Sequence, residues 1–133
     1  MIGPKSPAPS PVQERRAYEI ASERDEHRCQ KCHRGPVHRD HRKNRSQGGL
    51  TAASNLLLLC PTDHRWKTEH PQEAIARGWA VPGWADPTVW PTRRYFRTDR
   101  GTYRAGWAVL DDVGGVHEIS ADEARRRMEG GDS

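Results

Sequence analysis

Cys29-x-x-Cys32 and Cys60-x-x-Asp63 are two ligand pairs at i, i+3 spacing. That separation lets a short turn present two donors to one ion, and two such half-sites together read as a tetrahedral zinc centre. Asp63 stands where a fourth cysteine or a histidine is usual, and its carboxylate oxygen is a harder donor than thiolate. His33 or a water is the alternative fourth donor. A second set lies among these pairs: Asp40, His41, Asn55 and His64. Asp40 and His64 suit one divalent cation with open positions, able to polarise a phosphoryl oxygen and stabilise a leaving alkoxide. The ordinary pKa of His41 lies near neutrality, so its imidazole is the candidate general base on water. The Asn55 amide either holds the His41 ring, by a hydrogen bond or a backbone contact, or ligates the cation through its oxygen. Singly, each residue reads as a turn acid, a strand-start cap or a surface histidine. Their joint occurrence beside the zinc pairs is what points to hydrolysis.

These groups need a frame, and composition limits what it can be. A chain of 133 residues makes one compact domain with tails. Only 33% of it is hydrophobic, with one Phe, so the core is thin and a metal staple is expected. Three cysteines cannot pair fully as disulfides, which favours thiolates on zinc in a reducing cytoplasm. No apolar run is long enough for a signal peptide or a membrane span. The net charge of +4 and pI near 9.3 favour a polyanionic partner. Arg28, Lys31, Arg34, Arg39, Arg42, Lys43 and Arg45 surround the candidate site, with Asp40 the only acid among them. Arg42, Lys43 and Arg45 are assigned to phosphate contacts, which position a nucleic acid without reading its sequence.

Residues 1–11, with Pro4, Pro7, Pro9 and Pro11, read as a flexible arm. Ala17, Ile20 and Ala21 recur at helical spacing in a helix from residue 12 or 13 to about 27. A strand over 36–41, a polar loop over 42–54 with a Gly48-Gly49 turn, and a doubly buried strand at Asn55–Leu59 follow. Pro61 suits the first turn of a helix that ends near Glu69, and a shorter helix over 72–77 stops at Gly78. Trp79, Trp84 and Trp90 sit among Pro82, Gly83, Pro87 and Pro91 in an irregular, packed segment. Residues 95–119 read as an antiparallel meander, and Ser120 to Glu123 as a capping box opening a helix over 121–128.

Cys29-x-x-Cys32, Asp40-His41-Arg42-x-x-Arg45-Ser46-x-Gly48-Gly49, Asn55-Leu56 and Leu59-Cys60-x-x-Asp63-His64 together resemble the HNH endonuclease superfamily, in the zinc-stapled form common in bacteriophages and bacteria. The likeness covers about half of the chain, more loosely beyond His70. It implies a ββα-metal, treble-clef-like core, which with the N-terminal helix and the small C-terminal antiparallel β extension read above makes an α+β fold. It further implies His41 as base, Asp40 and His64 as cation ligands, and Asn55 as the supporting middle residue. The cofactors implied are a structural Zn2+ on Cys29, Cys32, Cys60 and Asp63, and a catalytic Mg2+ or Mn2+. Thr68 stands where many members carry another histidine, which leaves a ligand set better suited to magnesium than zinc.

The expected organisation is an arm over 1–11, a nuclease unit over 12–78 and an extension over 79–133 packed on it. The expected activity is metal-dependent hydrolysis of DNA phosphodiesters, by nicking or double-strand cleavage, with low sequence specificity. By family analogy the setting is phage DNA packaging beside terminase subunits, in the host cytoplasm, with the chain a monomer or weak dimer. The competing readings are a zinc-stapled nucleic-acid-binding module without catalysis and an adaptor that uses the Trp-rich segment.

Overall fold

A computed structural model describes residues 8–130; of the expected arm, residues 1–7 lie outside the described residues. The fold mixes helices and strands. Helix α1 spans Pro11–Arg24, starting a residue earlier than expected because Ser10 caps it. The Ser10 side chain accepts from the Gln13 N–H while the Gln13 side chain accepts from the Ser10 N–H, a reciprocal box that satisfies two otherwise unpaired donors. Its end also comes sooner, since Glu26 and His27 take φ of 54° and 57° and leave the helix.

Strand β1 (His38–His41) pairs antiparallel with β2 (Leu56–Leu59), with His38 opposite Leu59 and His41 opposite Leu56. All four leucines of β2 are buried. Leu57 and Leu59 pack with Cys29, Trp79 and Leu110, while Leu56 packs with Ala17 and Ala21 of α1. Alternate residues of a strand point to opposite faces, so an unbroken Leu run is what a strand sandwiched between two layers requires. Helix α2 (Pro61–Glu69) follows directly, with Cys60 as its N-cap, and α3 (Pro71–Arg77) ends on Gly78. Gly78 has φ +75°, and a Cβ there would lie 1.8 Å from the Pro91 carbonyl oxygen, so no other residue fits this crossing.

The C-terminal part forms a second sheet, β3 (Thr92–Arg97), β4 (Tyr103–Leu110) and β5 (Val116–Ile119), antiparallel in that order and followed by α4 (Ala121–Met128). Trp79 and Leu110 share a cluster with β2, and Trp90 packs with Val81 and Ala85. Trp84 meets the Trp90 ring edge-on, with centroids 5.5 Å apart, but stays 73% exposed. A buried ion network ties the layers together. Asp25 accepts from Arg24 and Arg94 and from the Leu58 N–H. Burial alone would raise its pKa, yet the two guanidiniums and that N–H hold its carboxyl below the usual range. Among the described residues no helix is long and apolar enough to cross a membrane.

Candidate active site and metal centre

Helix α2 separates two ligand sets. On one side, donor atoms of Cys29, Cys32, Cys60 and Asp63 all lie within 4.8 Å of one another. Two hydrogen bonds fold the first pair into its turn: His33 N–H to the Cys29 carbonyl, and Cys29 N–H to the Arg34 carbonyl. The second pair sits on the first turn of α2, where the Asp63 N–H points to Cys60 Sγ at 3.4 Å. Cys32 Sγ and Cys60 Sγ are 3.8 Å apart, and Cys29 Sγ and Asp63 Oδ2 are 3.1 Å apart. Zinc–sulfur bonds of about 2.3 Å require tetrahedral S···S edges of about 3.8 Å, so the thiol pair already has that spacing. Burial pushes the Cys29 thiol up to about 12, and a bound cation is what would draw off its proton. Lys31 lies 3.8 Å from Asp63 and offsets the negative charge of the set. His33 is not in it. Its ring packs between Tyr95 and Tyr103, with both nitrogens buried and unpaired.

On the other side of α2 lies a cleft of about 690 Å³ lined by Asp40, His41, Arg45, His64, Lys67 and Thr68, among others. His64, Lys67 and Thr68 are spaced to share one helix face. Asp40 reaches it from the end of β1. Its Oδ1 lies 3.1 Å from His64 Nδ1, and its Oδ2 accepts from Lys67 Nζ at 2.5 Å. Lys67 also donates to the His41 carbonyl at 2.8 Å. Its burial lowers its pKa, and the neighbouring Asp40 carboxylate counteracts part of that fall. The His41 ring meets Tyr18 edge-on and has Nε2 2.9 Å from Thr51 Oγ1, to which Arg45 donates at 3.2 Å. Burial, with the positive charge of Arg45, pulls the His41 pKa down, so the imidazole is neutral at neutral pH.

Residues 29–70 match the model of the family described as HNH endonuclease. This segment belongs to the HNH endonuclease superfamily. No curated protein and no solved structure matches the chain. An HNH domain implies nuclease chemistry on DNA and the use of divalent metal, and both donor sets fit such ions. In the cleft, two cis ligands of an octahedral ion with bonds of about 2.1 Å lie about 3.0 Å apart. The 3.1 Å between Asp40 Oδ1 and His64 Nδ1 matches that edge.

Within the HNH domain the structure brings Asp40, His41 and His64 together, but it gives Asn55 and Arg42 other work. Asn55 is 1% exposed. Its Oδ1 accepts from the Lys43 N–H, and its Nδ2 donates to the Lys43 and Leu50 carbonyls. It therefore clasps the two ends of the loop after β1, and its amide is hydrogen-bonded to neither the His41 ring nor the Asp40–His64 pair. Gly49 completes this clasp, because a Cβ there would lie 1.9 Å from the Lys43 carbonyl oxygen.

The assignment of Arg42 to phosphate is overturned. It is 1% exposed and donates to the carbonyls of Gly78, Ser54, Pro87, Trp90 and Pro91. All its donors are spent on backbone, and no face is left for a ligand. Burial pulls its pKa down to about 9, still cationic at neutral pH. Lys43 donates to the Ala85 carbonyl at 3.1 Å, while Arg45 stays exposed at the cleft. His38 is exposed and does not line the cleft.

Lys67 in the cleft, and Thr51 and Tyr18 against the His41 ring, are residues that sequence reasoning missed. For Lys67 the signal was present: it lies three residues after His64, on the same face of the helix. Nothing local marks Thr51 or Tyr18, which reach His41 only through tertiary packing.

Proposed function

We propose that this chain is a metal-dependent DNA endonuclease in which hairpin β1–β2 and helix α2 act as a ββα-metal unit. The observation that carries this reading is the convergence of a neutral His41 and the Asp40–His64 pair on one cleft, with Arg45 beside it. Residues 12–78 are then the catalytic unit and 79–133 the extension that braces it, through Arg42 above all. Cys29, Cys32, Cys60 and Asp63 hold a structural zinc, and Asp40 with His64 holds Mg2+ or Mn2+. That cation supplies charge stabilisation for the phosphoryl and leaving oxygens.

In the tautomer with Nε2–H donating to Thr51, the Nδ1 lone pair of His41 is free to take a proton from water. The water oxygen forms a bond to phosphorus as the P–O bond to the leaving sugar oxygen breaks. Arg45 holds the backbone phosphate, and Lys43 contributes its charge nearby. Among the described residues no helix presents an array of Asn, Gln or Arg side chains for major-groove readout, which supports low sequence specificity. Phage DNA packaging beside a terminase is the setting proposed by family analogy.

The test is supercoiled-plasmid cleavage with magnesium, manganese or no metal, for the wild type and His41→Ala. Metal-dependent nicking should fall about 10²–10⁴-fold in the variant, with its melting curve unchanged. If both proteins shift the plasmid on a gel and neither cuts it, the chain is a binding module and the endonuclease reading fails.

A further inference from the structure

We infer that Lys67 governs how tightly the cleft takes its cation: its ammonium caps one oxygen of Asp40, leaves the other facing His64, and lowers cation affinity by charge repulsion. The inference rests on the reading of Asp40 and His64 as cation ligands. Three observations carry it. Lys67 is held in place, with Nζ donating to Asp40 Oδ2 at 2.5 Å and to the His41 carbonyl at 2.8 Å. Its side chain is only 12% exposed, so water screens it poorly. Asp40 Oδ1 is the oxygen that Lys67 does not touch; it contacts His64 Nδ1 at 3.1 Å, which is also the cis-ligand distance.

A bidentate carboxylate is thereby ruled out, and Asp40 can offer the ion one oxygen only. An ion on Oδ1 and the ammonium on Oδ2 would sit about 4–5 Å apart, where a single and a double positive charge repel enough to weaken binding more than tenfold even at the dielectric constant of water. The ligand position four residues after His64 is Thr68, whose hydroxyl donates back to the His64 carbonyl at 3.2 Å. Among the described residues no further anionic side chain lines the cleft to offset Lys67.

Manganese binding separates this role from a merely structural one. Free Mn2+ would be titrated by electron paramagnetic resonance against the zinc-loaded full chain, without DNA, for the wild type, Lys67→Gln, Lys67→Met and Asp40→Asn, and for Lys67→Gln combined with Asp40→Asn. Lys67→Gln keeps a hydrogen-bond donor for Asp40 and removes only the charge. Both single Lys67 variants should bind Mn2+ at least tenfold more tightly than the wild type, and the double variant should lose the gain. Equal or weaker binding in Lys67→Gln and Lys67→Met overturns the inference, while loss of binding in Asp40→Asn would still uphold the ligand assignment. A gain that survives in the double variant places the ion elsewhere and overturns both.

Discussion

The two sides of helix α2 use similar ligand types to opposite ends. At the cysteine side, four donors converge within 4.8 Å, Cys29 is fully buried and Asp63 is 7% exposed. At the cleft side, two ligands stand 3.1 Å apart on the wall of an open cleft, and the His64 side chain is 54% exposed. A closed four-donor set holds a fold together, whereas a set with vacant positions leaves room for water and substrate. One helix serves both because Asp63 and His64 are neighbours in sequence, and successive helical residues point about 100° apart. The contrast is also electrostatic: Lys31 stands 3.8 Å off the cysteine set, while Lys67 touches Asp40 directly.

The largest expected effect tests whether the closed site is structural. Cys29→Ser, or stripping the metal with a strong chelator, should abolish the cooperative melt followed by circular dichroism, since structural zinc contributes about 10–16 kcal/mol in small domains. His64→Ala, at the open site, should change stability by less than about 1 kcal/mol. A Cys29→Ser protein that melts like the wild type would erase the distinction.

Arg42→Met comes next. Five carbonyls lose their buried cationic donor, and urea unfolding should show a loss of at least about 3 kcal/mol. A near-neutral result would return Arg42 to the phosphate-binding set.

Thr51→Val sharpens the open site alone. It removes the hydroxyl beside His41 Nε2, so the cleavage rate should fall about 3–10-fold, the worth of one hydrogen bond, with DNA affinity unchanged. A matching loss of affinity would mean that Thr51 acts on substrate binding and not on the ring.

The smallest effect is expected at Arg45→Ala. Unfolding free energy should stay within about 0.5 kcal/mol, while the salt dependence of DNA binding should lose about one unit of slope. An unchanged slope would remove Arg45 from the phosphate contacts.

Much of the frame was legible because its signals are local. Pro61 and Glu69 bound α2 as expected, Gly78 ends α3, and the turns at 99–101 and 114–115 divide the C-terminal strands. The start of α1 was misplaced because Pro11 was counted with the proline-rich arm, although Ser10 and Gln13 form a capping box. Of the three tryptophans between 79 and 90, two pack in the core and Trp84 stays in solvent, a choice no local pattern encodes.

What the amino-acid sequence determined by itself was the set of ligand types and their spacing: Cys pairs three apart, Asp beside His at a strand end, His on the first turn of a helix. Backbone geometry over three or four residues is enough to aim those donors. Only the tertiary structure decided which polar groups would be consumed inside the protein. Arg42 spends its guanidinium on carbonyls 12 to 49 residues away, Asn55 closes a loop instead of serving a ring, and Lys67 reaches back 27 residues to Asp40. A basic residue in a run of basic residues reads as DNA-facing until packing buries it, and burial depends on contacts between segments far apart in the chain.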